Sequence, residues 1–162
     1  MAKGQLTSMV LNDLKKAEKK LGKAVAPKIN YLFRESVYQS LTDWYMDYHP
    51  RYYDRTLNFY SVGKTAATTG LGNMITMQAD SSLMHDYPGF DDPPYEGYER
   101  KPYFADTAFD FMFINGEHGH GNWMMKKTTP SPYWRVDRDI QTGFGGLAQE
   151  IINDEIGRLL FG

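Results

Sequence analysis

The chain has 162 residues, 41% of them hydrophobic, and a formal net charge of −2. That length suits one domain with a real core, and the apolar content is too high for a disordered chain of such modest charge. The near-neutral balance argues against a dedicated nucleic-acid binder, and the absence of cysteine excludes disulfides, thiolate catalysis and cysteine-based zinc sites.

Residues 1–48 read as one long amphipathic helix. Apolar positions fall at Leu14, Ala17, Leu21, Val25, Ile29, Leu32, Phe33, Val37, Leu41, Trp44 and Tyr48, close to a 3.6-residue period. Pro27 removes one hydrogen bond and crowds the preceding turn, which predicts a kink near 24–27 or two helices in tandem. Such a helix is longer than a small sheet covers, so part of its stripe is expected to meet another subunit or another protein. No apolar run approaches the length of a membrane span, and the N-terminal segment lacks the apolar core of a secretory signal, so folding in a cytoplasm is expected.

Tyr48 to Val62 hands the helix over to a sheet. Pro50 lacks an amide hydrogen and pushes His49 out of helical geometry, so the helix should stop there. Leu57–Val62 then reads as a first strand. Thr65–Thr69 and Met74–Ala79 follow as strands, separated by turn signals at Thr69-Gly70 and Gly72-Asn73.

Residues 85–103, HDYPGFDDPPYEGYERKPY, hold four prolines and four tyrosines and keep no core-building periodicity. A segment of this kind reads as a docking loop, with Tyr87, Phe90, Tyr95, Tyr98 and Tyr103 as candidate interface residues. Charge is segregated. Lys3, Lys15, Lys16, Lys19, Lys20, Lys23 and Lys28 face only Asp13 and Glu18, whereas Asp80 to Asp110 is acidic. Such asymmetry orients a subunit whose basic side, with Lys15, Lys19 and Lys23, packs on a neighbour's acidic side.

Ala108–Asn115 alternates Phe109, Phe111 and Phe113 against Asp110, Met112 and Ile114, which predicts a strand. Gly116–Gly121 reads as a glycine-rich turn and Trp123–Lys127 as a returning strand. After the break at Thr129–Pro132 the helical period returns over 136–160, and Gly143, Gly145 and Gly146 delay the firm helix to about Leu147. The elements together predict a single α+β domain spanning 1–162. It holds the long N-terminal helix, a small, mostly antiparallel sheet of about four strands within 57–127, and a C-terminal helix packed on that sheet.

Chemistry-bearing clusters are few. His118 and His120 beside Glu117 sit two residues apart on a turn, a spacing that suits a shared zinc, nickel or copper ion but supplies too few ligands alone. Asp54 and Arg55 read as a structural pair at the corner. There is no nucleophile elbow, and Gly70-Leu71-Gly72 lacks the lysine and helix of a phosphate loop.

The order of elements resembles a specific family. The long helix ends in a Tyr/Pro corner, followed by an Arg-Thr step into a strand (Tyr48, Pro50, Tyr53, Arg55, Thr56, Leu57, Phe59). Later a strand runs into a Glu-x-Gly turn (Asn115, Gly116, Glu117, His118, Gly119), and then a Pro-rich step from Thr129 to Pro132 leads into a last helix. This pattern is similar to the neck, tail-completion or tail-terminator proteins of long-tailed bacteriophages, small α+β proteins that form rings between portal vertex and tail tube. Loop 85–103 is longer than that family leads one to expect, and the glycines at 143–146 break the last helix early. The resemblance implies a structural, non-enzymatic protein with no cofactor. It implies a homo-oligomeric ring, hexamer or dodecamer, partnered by portal, adaptor or head-closure proteins and by the tail tube protein, with genomic DNA passing through the lumen. It also implies synthesis in a bacterial cytoplasm and residence at the head–tail junction of the virion. The rivals are a metal-binding or hydrolytic enzyme using His118 and His120, and a non-ring adaptor that grips one partner through the aromatic loop.

Overall fold

The computed structural model describes residues 3–47, 57–86, 104–118 and 128–161. They form helix α1 (Lys3–Met46), a 3₁₀ turn (Asn58–Tyr60) running into α2 (Ser61–Thr65), and strands β1 (Ala67–Leu71) and β2 (Met74–Gln78). After these come α3 (Ala105–Phe109), which continues as a π-helical turn (Asp110–Ile114), then α4 (Pro132–Gln141) and α5 (Leu147–Phe161). The class is α+β, with two strands among the described residues rather than about four.

The chain divides into two compact units. One comprises Met1–Phe33, Ala67–Gln78 and Asp139–Gly162, the other Arg34–Ala66 and Ala79–Arg138, and α1 contributes to both.

In the first unit, α1 passes through Pro27 as one helix, not two in tandem. Proline in a helix interior costs about 3 kcal/mol relative to alanine. Burial on either side offsets it: Val25, Ala26 and Ile29 are all buried, and Val25 and Ile29 form a cluster with Ala148 of α5. Leu21, Ile75, Met77, Ile151 and Ile152 pack around that cluster, so the hairpin and α5 share one apolar core with the helix, much as the sequence predicts.

The strands pair antiparallel, with Leu71 opposite Met74 across the two-residue turn Gly72-Asn73. Gly72 has φ +63, the positive first position of a type II′ turn. The hairpin is bonded to α1 on both sides of Pro27. Thr68 Oγ1 donates to Ala26 O at 2.5 Å, and Thr68 N donates to Asn30 Oδ1 at 2.9 Å. Lower down, Gly22 N donates to Gly72 O at 2.7 Å. A Cβ built on Gly70 would lie 1.9 Å from Gly22 O, so the two backbones meet only because both residues are glycine.

The predicted helix 136–160 is two helices. Gly143, Phe144, Gly145 and Gly146 all have positive φ, a left-handed turn that right-handed helices cannot absorb. Phe144 adopts this conformation without being glycine, and its ring packs on the Val25–Ile29–Ala148 cluster. On α5, Glu155 is buried and bonded by Arg158 (Nη2–Oε2 2.9 Å) and by Lys28 of α1.

The second unit is built from aromatic rings. Trp44 meets Phe59 edge-on with centroids 4.8 Å apart, Tyr45 stacks on Tyr60 at 4.8 Å, and Phe59 meets Phe113 at 6.3 Å. Two predicted strands are helical here. In 57–62 the chain opens with Leu57 at φ +54, and its buried positions are Phe59, Val62, Gly63 and Ala66, a helical spacing. In 108–115 the phenylalanines at 109 and 113 stack at 5.0 Å as i,i+4 neighbours on a helix. Alternating phenylalanine satisfies a two-residue period and a four-residue period alike, and the packing on Phe59 selects the second. The expected strand Trp123–Lys127 lies outside the described residues.

Candidate interaction surface

The surface that stands out begins where the first unit's cover over α1 ends. From Leu21 to Ile29 the helix stripe is covered by hairpin and α5. Toward the N-terminus the same stripe continues to Leu14 and Leu11, which are 45% and 51% exposed. The spacing 11, 14, 21, 25 keeps these residues on one face of the helix, so an apolar strip runs from core to solvent without changing side. Lys15, Lys19 and Lys23, four residues apart and all exposed, line one flank of the strip. Among the described residues none of the three has an ion-pair partner. Lys28, expected on the same basic side, is instead bonded to Glu155.

At the hairpin turn, Leu71 is 79% and Met74 is 63% exposed. An open depression of about 350 Å³ lies between this turn and the helix, lined by Lys15, Glu18, Lys19, Gly72 and Asn73. Asn73 Nδ2 donates to Glu18 Oε1 across it at 3.2 Å. Two lysines around a paired glutamate offer charge and hydrogen bonds there.

Of the two histidines on the predicted turn, only His118 is among the described residues, and it is packed. His118 is buried, and its ring lies flat on Trp44 with centroids 4.2 Å apart. Thr128 Oγ1 donates to Asp47 Oδ2 at 3.0 Å, so at 2.5 Å it accepts from His118 Nε2, which must carry the proton. Nε2 is thereby engaged in a chain running from imidazole to hydroxyl to carboxylate. Glu117 is buried beside it, its amide donating to Phe111 O at 2.8 Å. Among the described residues no three His, Asp or Glu side chains gather to hold a metal ion.

The remaining predicted site residues lie outside the described residues: Tyr48, Pro50, Tyr53, Arg55 and Thr56 at the corner, Tyr87, Phe90, Tyr95, Tyr98 and Tyr103 in the loop, and Gly119 and His120 in the turn. The loop's flanks are described, and they meet. Asp86 Oδ1 accepts from Ala105 N at 2.8 Å, and His85 is bonded on both its amide and its carbonyl to Asn58. The described residues on either side of the loop, Asp86 and Ala105, are thus bonded to each other in the second unit.

No family model, curated protein or solved structure matches this chain. Among the described residues no helix is long and apolar enough to cross a membrane.

Sequence reasoning missed two features. Glu155 falls among the polar Asn153, Asp154 and Arg158, and nothing local marks it as a buried residue of α5. The apolar period of 136–160 takes in Leu147 and Ile156, yet these are 48% and 37% exposed, and Phe161 just beyond it is 88% exposed. The glycines that delay α5 were visible, but the phase of its buried face was not.

Proposed function

We propose that this chain is a structural protein that assembles into a homo-oligomeric ring at a bacteriophage head–tail junction, joining the portal side of the head to the tail. The observation that carries the reading is the α1 stripe, covered by the chain's own elements from Leu21 and exposed at Leu11 and Leu14, with unpaired lysines along it. A monomer gains nothing by extending an apolar helical face into water. A ring subunit places that face against its neighbour, and contacts between unlike faces close into a ring. The Tyr/Pro corner, Glu-x-Gly and Pro-rich sequence steps that resemble neck and tail-completion proteins support this use, although the two strands expected beside them are helical, and a loop whose flanks are pinned together supports it too. Portal or head-closure proteins and the tail tube protein are the partners the reading requires, and DNA would pass through the lumen with few phosphate contacts, since the chain is net acidic.

The test is to delete the coding sequence from the phage genome that carries it and image the lysate by negative-stain electron microscopy. The expected result is separate DNA-filled heads and finished tails. Joined, infectious particles in normal yield would overturn the reading.

A further inference from the structure

We propose that the exposed basic stripe of α1 docks on the outward face of α5 of a second copy of this chain. This rests on the ring reading and names the two faces that make the contact.

Both faces belong to the first compact unit. On α5, residues 147, 150, 154, 157 and 161 follow a three-four spacing and so share one side of the helix. Leu147 and Phe161 are exposed at its two ends, and Glu150 and Asp154 are exposed between them. Among the described residues neither carboxylate has an ion-pair partner. The fifth position, Gly157, is the informative one. Among the described residues a Cβ there would meet nothing within 4 Å, so their packing does not require glycine. Glycine in a helix costs about 1 kcal/mol relative to alanine. A bare backbone on an outward face admits a second helix closely.

The α1 face is the complement. Leu11 and Leu14 supply apolar contact, and Lys15, Lys19 and Lys23 supply a row of positive charge. Residues four apart on a helix repeat every 6 Å or so, which gives the lysine row and the Glu150–Asp154 row the same pitch. Leu11 and Leu14 meet one apolar end of the α5 face while the charges pair alongside. Because the two faces differ, the contact is heterologous and propagates head to tail, as a ring needs. Opposite charge in register also sets the orientation of the neighbour and rejects a mismatched one.

The test uses two charge-reversed chains, Lys15→Glu/Lys19→Glu/Lys23→Glu and Glu150→Lys/Asp154→Lys. All five positions are exposed, so both variants should keep the wild-type far-UV circular dichroism. Native mass spectrometry and sedimentation velocity then read association of the wild type, each variant alone and their equimolar mixture. Alone, each variant opposes like charges, and its apparent self-affinity should fall about tenfold or more. In the mixture every α1 face finds an α5 face of opposite sign on the other variant, and wild-type-like assembly should return. Variants that assemble like a ring-forming wild type overturn the docking faces and leave the ring reading standing. Loss in both variants without rescue on mixing overturns them too. Open chains of wild type that obey the mixing rescue support the docking faces and overturn the closed ring. A wild type that stays monomeric overturns the second copy as occupant, even if another protein binds these faces.

Discussion

Replacing Gly22 with alanine should destabilise this protein, although the residue sits inside a helix where propensity favours alanine. On propensity alone the change gains about 1 kcal/mol. The hairpin reverses the sign. The new Cβ would lie 2.5 Å from Met74 O and 2.7 Å from Gly72 O, both backbone atoms that no rotamer change can move aside. Contacts below 3.0 Å are essentially never seen for real Cβ atoms, so the turn must retreat by at least about half an ångström. Overpacking of this kind costs about 1–3 kcal/mol. The retreat also breaks the 2.7 Å hydrogen bond from Gly22 N to Gly72 O, at about 1 kcal/mol. The net expectation is a loss of about 1–3 kcal/mol. Gly157→Ala is the control. It is also helical, with nothing within 4 Å of its Cβ, and should gain about 1 kcal/mol. Thermal melts by circular dichroism, at concentrations that keep the chain monomeric, should move the two midpoints in opposite directions by roughly 2–4 °C per kcal/mol. If Gly22→Ala stabilises as Gly157→Ala does, the hairpin does not lie against α1 as described.

Other outcomes follow from the same contacts. Hydrogen bonds from Arg158 and then from Lys28 hold the Glu155 carboxyl down from its ordinary 4.5 to about 2. Its contribution to stability is therefore full above about pH 4.5 and lost as pH falls toward 2, and Glu155→Gln should melt lower at neutral pH with a shallower acid decline across that window. Thr128→Val interrupts the run from His118 to Asp47 while keeping side-chain shape, and should cost about 1–3 kcal/mol in denaturant unfolding. Gly146→Ala should cost stability despite the empty space around it, because φ +94 strains any side chain, and a midpoint unchanged from wild type would count against the left-handed turn. Replacing residues 87–103 by a short Gly-Ser bridge should leave the melting profile intact, since Asp86 and Ala105 already meet, while abolishing assembly; complete particles built from that variant would remove the loop's docking role.

Elements whose pattern has one physical solution were legible in the sequence. The α1 stripe repeats over too many turns to be anything but helix, Gly72-Asn73 marks the hairpin turn, and Gly143 to Gly146 mark where α5 begins, though not the separate helix α4 ahead of it. Where a pattern has two solutions, tertiary packing chose. Phe109, Phe111 and Phe113 alternate like a strand, yet Phe109 and Phe113 also stack as helical neighbours, and their contact with Phe59 decides for the helix. Leu57–Val62 was misread for the same reason, since Phe59 and Val62 are buried three residues apart. Glu155 could not be found from its surroundings, because Lys28 lies 127 residues away in the chain. Of the candidate surface, the exposed lysines at 15, 19 and 23 were legible from their place off the stripe. The point where cover of that stripe ends was not, because it depends on the reach of the hairpin rather than on α1.

The most direct measurement of the central claim is native mass spectrometry of the purified wild-type chain, with negative-stain imaging of the same sample. A closed ring of six or twelve copies with a central opening is the predicted result. A chain that remains a monomer over the whole accessible concentration range, its α1 stripe bare in solution, would contradict it.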